Sequence, residues 1–279
     1  MKRLLYIIIF ACALALPLEA MTPSAPVGKA TVGTSSKSNE QLTYNIYFHM
    51  GFIWAKAGLG KLDYRLETQK DGTKEYHGQL AAKSLSIVEH LMKVRDTLDC
   101  WFDTEMVPTR FVKSTHEGSY NCVAHNTYRP FWKKNAANTL QNVDSTQVTI
   151  DRWKKKGKDP MTREVIDFSN QGVAYDMLSV FYSIRRLDYA KMTKGKKMTF
   201  VCYDGNKCQD IHVEYCGAES CELRDGTQYD AYLVYLTFAT KGQESTPLKV
   251  WLAKTDDHRP VKAVIALNRI GSVQCEIVE

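Results

Sequence analysis

The chain has 279 residues, 44% of them apolar in type and 24% charged, enough for a sizeable hydrophobic core and unlike a disordered polyelectrolyte. Its formal net charge of +6 is local: residues 129–163 hold nine Lys/Arg (129, 133, 134, 152, 154, 155, 156, 158 and 163) against three Asp (144, 151 and 159), so the remainder is close to neutral. The basicity is a local patch, and no motif interleaving aromatic and basic residues supports a nucleic-acid partner.

The N-terminus reads as a secretory signal peptide over residues 1–20. Lys2 and Arg3 form a basic head, Leu4–Leu16 is an uncharged aliphatic run, and Pro17 with small residues follows. Thirteen residues make about 20 Å of helix, short of the roughly 30 Å of a bilayer core. No permanent transmembrane span is expected. Cleavage follows either Ala15, after Ala13-Leu14, or Ala20; Ala20 is preferred, although Leu18 is large for the third position before the cut. A lipoprotein acylated at Cys12 is the minor alternative. The expected location is the periplasm or the periplasmic face of the outer membrane. Residues 21–40, rich in Ser, Thr, Gly and Pro, read as a disordered lead-in to a single domain over 41–279.

From Leu42 the apolar period becomes two, as in Lys61-Leu62-Asp63-Tyr64-Arg65-Leu66-Glu67, the mark of strands with one wet and one dry face. Comparable stretches fall at 42–48, 53–59, 75–82, 96–103, 107–115, 119–127, 146–152, 197–203, 209–215, 227–238, 247–253, 260–268 and 272–278. Short gaps such as Asp71-Gly72 favour antiparallel neighbours. Two segments have helical spacing instead: Ser84–Val94, and Val173–Tyr189 with Met177, Leu178, Phe181, Ile184 and Leu187 on one face. The expected fold is mainly β: a large curved antiparallel sheet or open barrel with one or two packed helices. The basic segment at about 129–163 is expected as an excursion between strands.

The second helix carries Asp176-Met177-Leu178-Ser179, then Tyr182 and Arg185. With Leu42-Thr43-Tyr44 and Ala57-Gly58 before it, and Trp251-Leu252, Asp257, Arg259-Pro260-Val261 and Gly271 after it, this order resembles the DUF3108 family of exported bacterial envelope proteins. The resemblance implies a curved sheet similar to lipid-carrier folds and no established activity. The cysteines and the basic excursion depart from the family pattern.

Asp176 at a helix start suits the helix dipole. Arg185 reads either as a clamp on a strand carboxylate or, with Tyr182 and Trp251, as a contact for a ligand in the concavity. Asp256-Asp257-His258-Arg259-Pro260 reads as a charged turn. Lys133, Lys134, Arg152, Lys154, Lys155, Lys156 and Lys158 form the basic patch. An exported chain permits disulfides. Cys216 with Cys221, and Cys202 with Cys208, flank short turn-like segments and are the candidate bridges, whereas Cys100 and Cys122 would sit two strands apart. No Cys-x-x-Cys, Gly-x-Ser-x-Gly, His-Glu-x-x-His or phosphate-loop motif is present. Hence no cofactor, metal or catalytic residue is assigned.

Three functions remain. The first is non-catalytic binding of an apolar or amphipathic, lipid-like ligand in the concave sheet, for which the 15 Tyr and 5 Trp suit a pocket lining. The second is an envelope interaction or assembly protein using a sheet edge or the basic 129–163 surface. The third is a hydrolase of envelope polymers, which would need converging carboxylates or a nucleophile–His pair.

Overall fold

A computed structural model gives the fold and describes residues 39–90, 93–134, 140–205, 207–240, 243–267 and 271–278. The signal segment and nearly all of the lead-in lie outside these residues. The first eight strands form a meander: β1 (Asn39–Met50), β2 (Ile53–Thr68), β3 (Lys74–Ser84), β4 (Arg95–Phe102), β5 (Pro108–Glu117), β6 (Tyr120–Lys134), β7 (Leu140–Lys156) and β8 (Thr162–Gln171). A single turn of helix, α1 (Ser86–Glu89), connects β3 to β4. After β8 come α2 (Met177–Arg185) and a 3-10 turn at Tyr189–Lys191. The chain then returns as β9 (Lys197–Asp204), β10 (Lys207–Glu222), β11 (Gln228–Thr240), β12 (Gln243–Glu244), β13 (Leu248–Ala253), β14 (Pro260–Leu267) and β15 (Gly271–Val278).

All belong to one 15-stranded sheet in the order β8-β7-β6-β5-β4-β3-β2-β1-β15-β14-β13-β11-β10-β9, with β12 on β11. Every named strand pair is antiparallel, so the mainly β, curved-sheet expectation holds. The two-residue period sets one face of each strand inward: Leu98, Cys100 and Phe102 on β4, Phe111 on β5, Ala124 and Tyr128 on β6, Val148 and Ile150 on β7. The ends of the path approach each other through side chains. Phe168 of β8 lies 5.0 Å from Tyr203 of β9 between ring centroids, and Asn126 of β6 donates to the Tyr203 carbonyl at 3.1 Å. Tyr175 covers part of the β9 edge, donating to the Val201 carbonyl and accepting from the Tyr203 N–H, both at 2.9 Å.

Three expected elements differ. The helix read over Val173–Tyr189 spans only Met177–Arg185, because Tyr175 is committed to the β9 edge and Asp176 caps the first turn. The predicted helix over Ser84–Val94 is only the four residues of α1, because Ser84 stays in β3 and Val94 already bridges to Glu117. The basic segment is not an excursion. It is the end of β6, all of β7 and the start of β8, in register within the sheet from Tyr120↔Lys156 to Pro130↔Thr146. The lysine density masked an alternation that the long hairpin satisfies.

A nine-residue helix is too short to persist alone. α2 is fixed by its cap and its surroundings. Asp176 Oδ1 accepts from the N–H groups of Leu178 (2.9 Å) and Ser179 (2.8 Å), and the Asp176 N–H donates back to Ser179 Oγ (3.0 Å). Leu178, Ser179, Val180, Tyr182, Ile184 and Arg185 are all buried, so the helix is covered on several sides inside the curve of the sheet. Tyr182 enters a notch at Gly78, where a Cβ would stand 2.2 Å from its ring, and its hydroxyl donates to the Asp63 carbonyl at 2.7 Å. Gly78→Ala therefore costs roughly 1–3 kcal/mol by overpacking against a ring that cannot retreat. Urea unfolding checks this, and Tyr182→Leu in the same chain recovers part of the loss.

Candidate functional site

Arg185, at the C-terminal end of α2, reaches the start of β1. Its Nη1 and Nη2 donate to the two carboxylate oxygens of Glu40, each at 2.8 Å, in a fork-to-fork pair shielded from water. The same guanidinium donates from Nε to the His258 carbonyl (3.2 Å) and from Nη2 to the Asp257 carbonyl (3.1 Å). His258 answers by donating from Nδ1 to the Arg185 carbonyl at 2.7 Å. Its φ of 42° is unusual for a non-glycine residue and belongs to the β13–β14 turn that presents these carbonyls. Of the two roles read for Arg185, the strand-carboxylate clamp is thus the one occupied. The partner, Glu40, fell within the stretch read as a disordered lead-in; a lone carboxylate two residues before the first alternating run gave no signal.

The proposed ligand contacts do not converge. Tyr182 is packed in an aromatic group with Tyr64 (5.1 Å) and Phe102 (5.9 Å), and Tyr64 stacks on Tyr76 at 5.0 Å. Trp251 instead donates from Nε1 to Glu219 at 2.7 Å and lies beside Lys262. The concavity is filled by two apolar clusters, both of which include α2 side chains. A small cavity among Ile46, Ala57, Gly58, Ala82, Ser84 and Val94 holds about 10 Å³, room for one water.

The candidate disulfides are not formed: Cys202, Cys208, Cys216 and Cys221 are free. Cys216 and Cys221 lie on one continuous strand, β10, rather than across a hairpin. Five residues of strand separate them by roughly 16 Å, beyond the roughly 7 Å limit for a bridge. Cys208 stands opposite Tyr203 and Cys202 opposite Gln209, so the two thiols point to opposite faces. Burial pushes the Cys221 thiol up to about 11 and that of Cys275 to about 12, the reverse of what a nucleophilic cysteine needs.

Two polar groups on the strands went unread. On one, His77 is held between carboxylates: Nε2 to Asp99 at 2.9 Å and Nδ1 to Glu67 at 3.1 Å, with Arg65 at 2.7 Å from Nδ1 and Trp101 stacked on the ring at 4.3 Å. Both ring nitrogens are engaged, so neither is open to take a proton from a substrate. On the other, Asp96 and Glu117 are buried side by side near the ion pair of Lys113 with Asp204 (2.9 and 2.8 Å). The Asp96 Oδ1 accepts from the His116 N–H at 2.7 Å. Burial first, then the neighbouring Asp96 carboxylate, raises Glu117 to about 8, so it keeps its proton and donates to Asp96. Sequence offered no cue, because the two belong to different strands. Among the described residues, no three His, Cys, Asp or Glu side chains group as metal ligands.

The basic patch divides. Lys133 pairs with Asp144 (2.9 Å), Arg163 with Asp151 (2.7 Å) and Arg152 with Glu164. Lys134 closes β6 at the other end of the hairpin. Lys154, Lys155 and Lys156 at the end of β7, and Lys158 in the following turn, are exposed and make no ion pair among the described residues.

A curved antiparallel sheet closed by side chains around one internal helix defines a β-barrel-like protein. The chain belongs to the family described as Protein of unknown function (DUF3108), whose pattern it matches over residues 43–278. Among solved structures it is similar to a β-barrel-like protein of domain of unknown function DUF1849 from Brucella abortus, with a TM-score of 0.52 and 8% identity over 86% of this chain and 95% of that one. A protein from Bacteroides fragilis described as exported, with a YmcC-like fold, aligns at 10% identity over 90% of this chain and 100% of its own, with a TM-score of 0.31. The first likeness concerns the fold alone. No curated protein sequence matches.

Two outcomes follow from this geometry. Arg185→Met strands the Glu40 carboxylate out of water and lowers unfolding free energy by about 3–5 kcal/mol, measured in urea; adding Glu40→Leu restores much of it. Stability also depends on pH. Glu117, raised from 4.5 to about 8, and Asp176, raised by burial from 3.8 to about 7, both bind a proton more tightly when folded. Their contribution is full below the unfolded values and is lost as pH rises from about 3.8 to about 7 for Asp176 and from about 4.5 to about 8 for Glu117. Denaturation midpoints should fall across those windows, and Glu117→Gln should flatten the upper part of the decline.

Proposed function

We propose that this is an exported, non-catalytic binding protein of the cell envelope that engages an anionic partner through the β7–β8 hairpin. The observation that carries the reading is the cluster Lys154, Lys155, Lys156 and Lys158, without counter-ions among the described residues, on a strand pair whose other cations, Arg152 and Arg163, are neutralised within the hairpin. Each such lysine attracts an anionic surface by about 1 kcal/mol at low salt, and screening erodes this beyond about 10 Å at 0.1 M. Export rests on the Lys2-Arg3 head and the Leu4–Leu16 run. A lipid-like ligand carried in the concavity is the weaker reading, since α2 and its aromatic neighbours occupy that space.

The test replaces Lys154, Lys155 and Lys156 together by Gln. The exported protein should elute from a sulfated-polysaccharide matrix at clearly lower salt than the parent, with an unchanged melting temperature. Equal retention of the two proteins would sink this assignment.

A further inference from the structure

Six of the nine large apolar side chains exposed among the described residues sit on turns, or on the strand ends that flank them, at one end of the sheet. In a meander every second connection falls at the same end, so the β1–β2, β3–β4, β5–β6 and β7–β8 turns share a rim. Met50, Phe52, Ile53 and Trp54 cluster at the β1–β2 turn, Ile87 is in α1, and Met161 lies in the β7–β8 turn beside the lysines. Phe52 is 95% exposed. The β1–β2 turn is tight, with Met50 opposite Ile53 and Gly51 at a φ of +58°, which only glycine adopts without cost. Pairing of β2 with β3 stops at Gly58↔Ser84, so the last residues of the hairpin stand proud of that neighbour as a prong.

The prong is rigid at its base and cationic beside it. Trp54 is sandwiched between His49, stacked at 4.0 Å, and the Arg224 guanidinium at 4.2 Å, which also lies 5.0 Å from the Tyr47 ring. Arg224 is exposed, and its guanidinium makes no ion pair among the described residues. From Gln41 to Leu62 the chain has Lys56 and Lys61 but no carboxylate. Asp225, in the turn with Arg224, is engaged with the Thr227 N–H at 2.9 Å.

We infer that this rim rests on an anionic lipid bilayer, with Phe52, Ile53 and Met50 inserted among the acyl chains and Trp54 with Arg224 at the headgroup level. Aromatic side chains with a polar handle favour that level, and an unpaired guanidinium there meets lipid phosphate. A narrow prong suits a fluid, deformable surface better than a folded partner, which would have to match about 800 Å² of flat contact. The lysines on the same rim add long-range attraction. This rests on the electrostatic part of the reading above and names the anionic partner as lipid.

The experiment is co-sedimentation of the exported protein with vesicles of phosphatidylcholine alone and of phosphatidylcholine mixed with phosphatidylglycerol. Binding is expected to the mixed vesicles. Phe52→Asp should weaken it by about tenfold or more, the effect of withholding one aromatic side chain from the apolar phase, while Phe52→Leu retains most of it. Arg224→Gln should weaken binding to mixed vesicles by about fivefold. Phe52→Asp must leave the melting temperature and the retention on sulfated polysaccharide unchanged, which separates failure of the lipid assignment from failure of anionic binding in general. Equal vesicle binding by the parent and Phe52→Asp would overturn the inference. So would a concentration-dependent dimer in sedimentation velocity that Phe52→Asp abolishes, since the prong would then be occupied by a second copy.

Discussion

An arginine removed from water must have its donors met, and Arg185 is met by both oxygens of Glu40 and by the carbonyls of Asp257 and His258. These acceptors come from the first strand and from a turn near the chain's end, and the arginine from a helix midway between. One guanidinium therefore joins three parts of the sequence, reaching 145 residues back to Glu40 and 73 residues forward to His258. Beside it, a nine-residue helix has its cap, its apolar contacts and the Tyr182 hydroxyl on the Asp63 carbonyl to hold it inside the sheet. The closure of the barrel depends on that helix, since Tyr175, just ahead of its cap, bridges β9 and accepts from the Tyr128 hydroxyl on β6.

Filling the interior this way has a consequence for function. The rings of Tyr64, Tyr76, Phe102 and Tyr182 that would line a pocket pack on one another instead. Tyr182 is possible at its place only because Gly78 offers no Cβ. His77 has both ring nitrogens occupied, and burial pushes the Cys221 and Cys275 thiols up. On the surface, the β7–β8 lysines without an ion pair among the described residues and the apolar prong on β1–β2 stand apart from this packing.

Burying Asp96 beside Glu117 carries its own cost, since one of two adjacent buried carboxyls must keep its proton. They stand near Lys113 and Asp204, which link β5 to the end of β9. A titratable group thus lies close to the seam where the sheet closes on itself.

Local properties were legible in the sequence. Alternation of period two located most strands, because each strand needs only its own residues to separate a wet from a dry face. Helical spacing located α2, in wider bounds than Met177–Arg185, and placed Asp176 near its start, since both rest on interactions within a few residues; the reciprocal bond with Ser179 went unread. Cysteine spacing misled, because nearness along the chain says nothing about whether two thiols share a face; Cys202 and Cys208 are close in number and opposite in direction. The 129–163 segment misled for a related reason, its charges hiding an alternation that pairing with neighbours made decisive. Tertiary structure alone decided that Glu40 is the partner of Arg185, that Asp96 meets Glu117, and that the concavity is full. Each of these joins residues from different elements, and such contacts are fixed by sheet register and curvature, quantities that depend on every strand at once and on no short stretch of sequence.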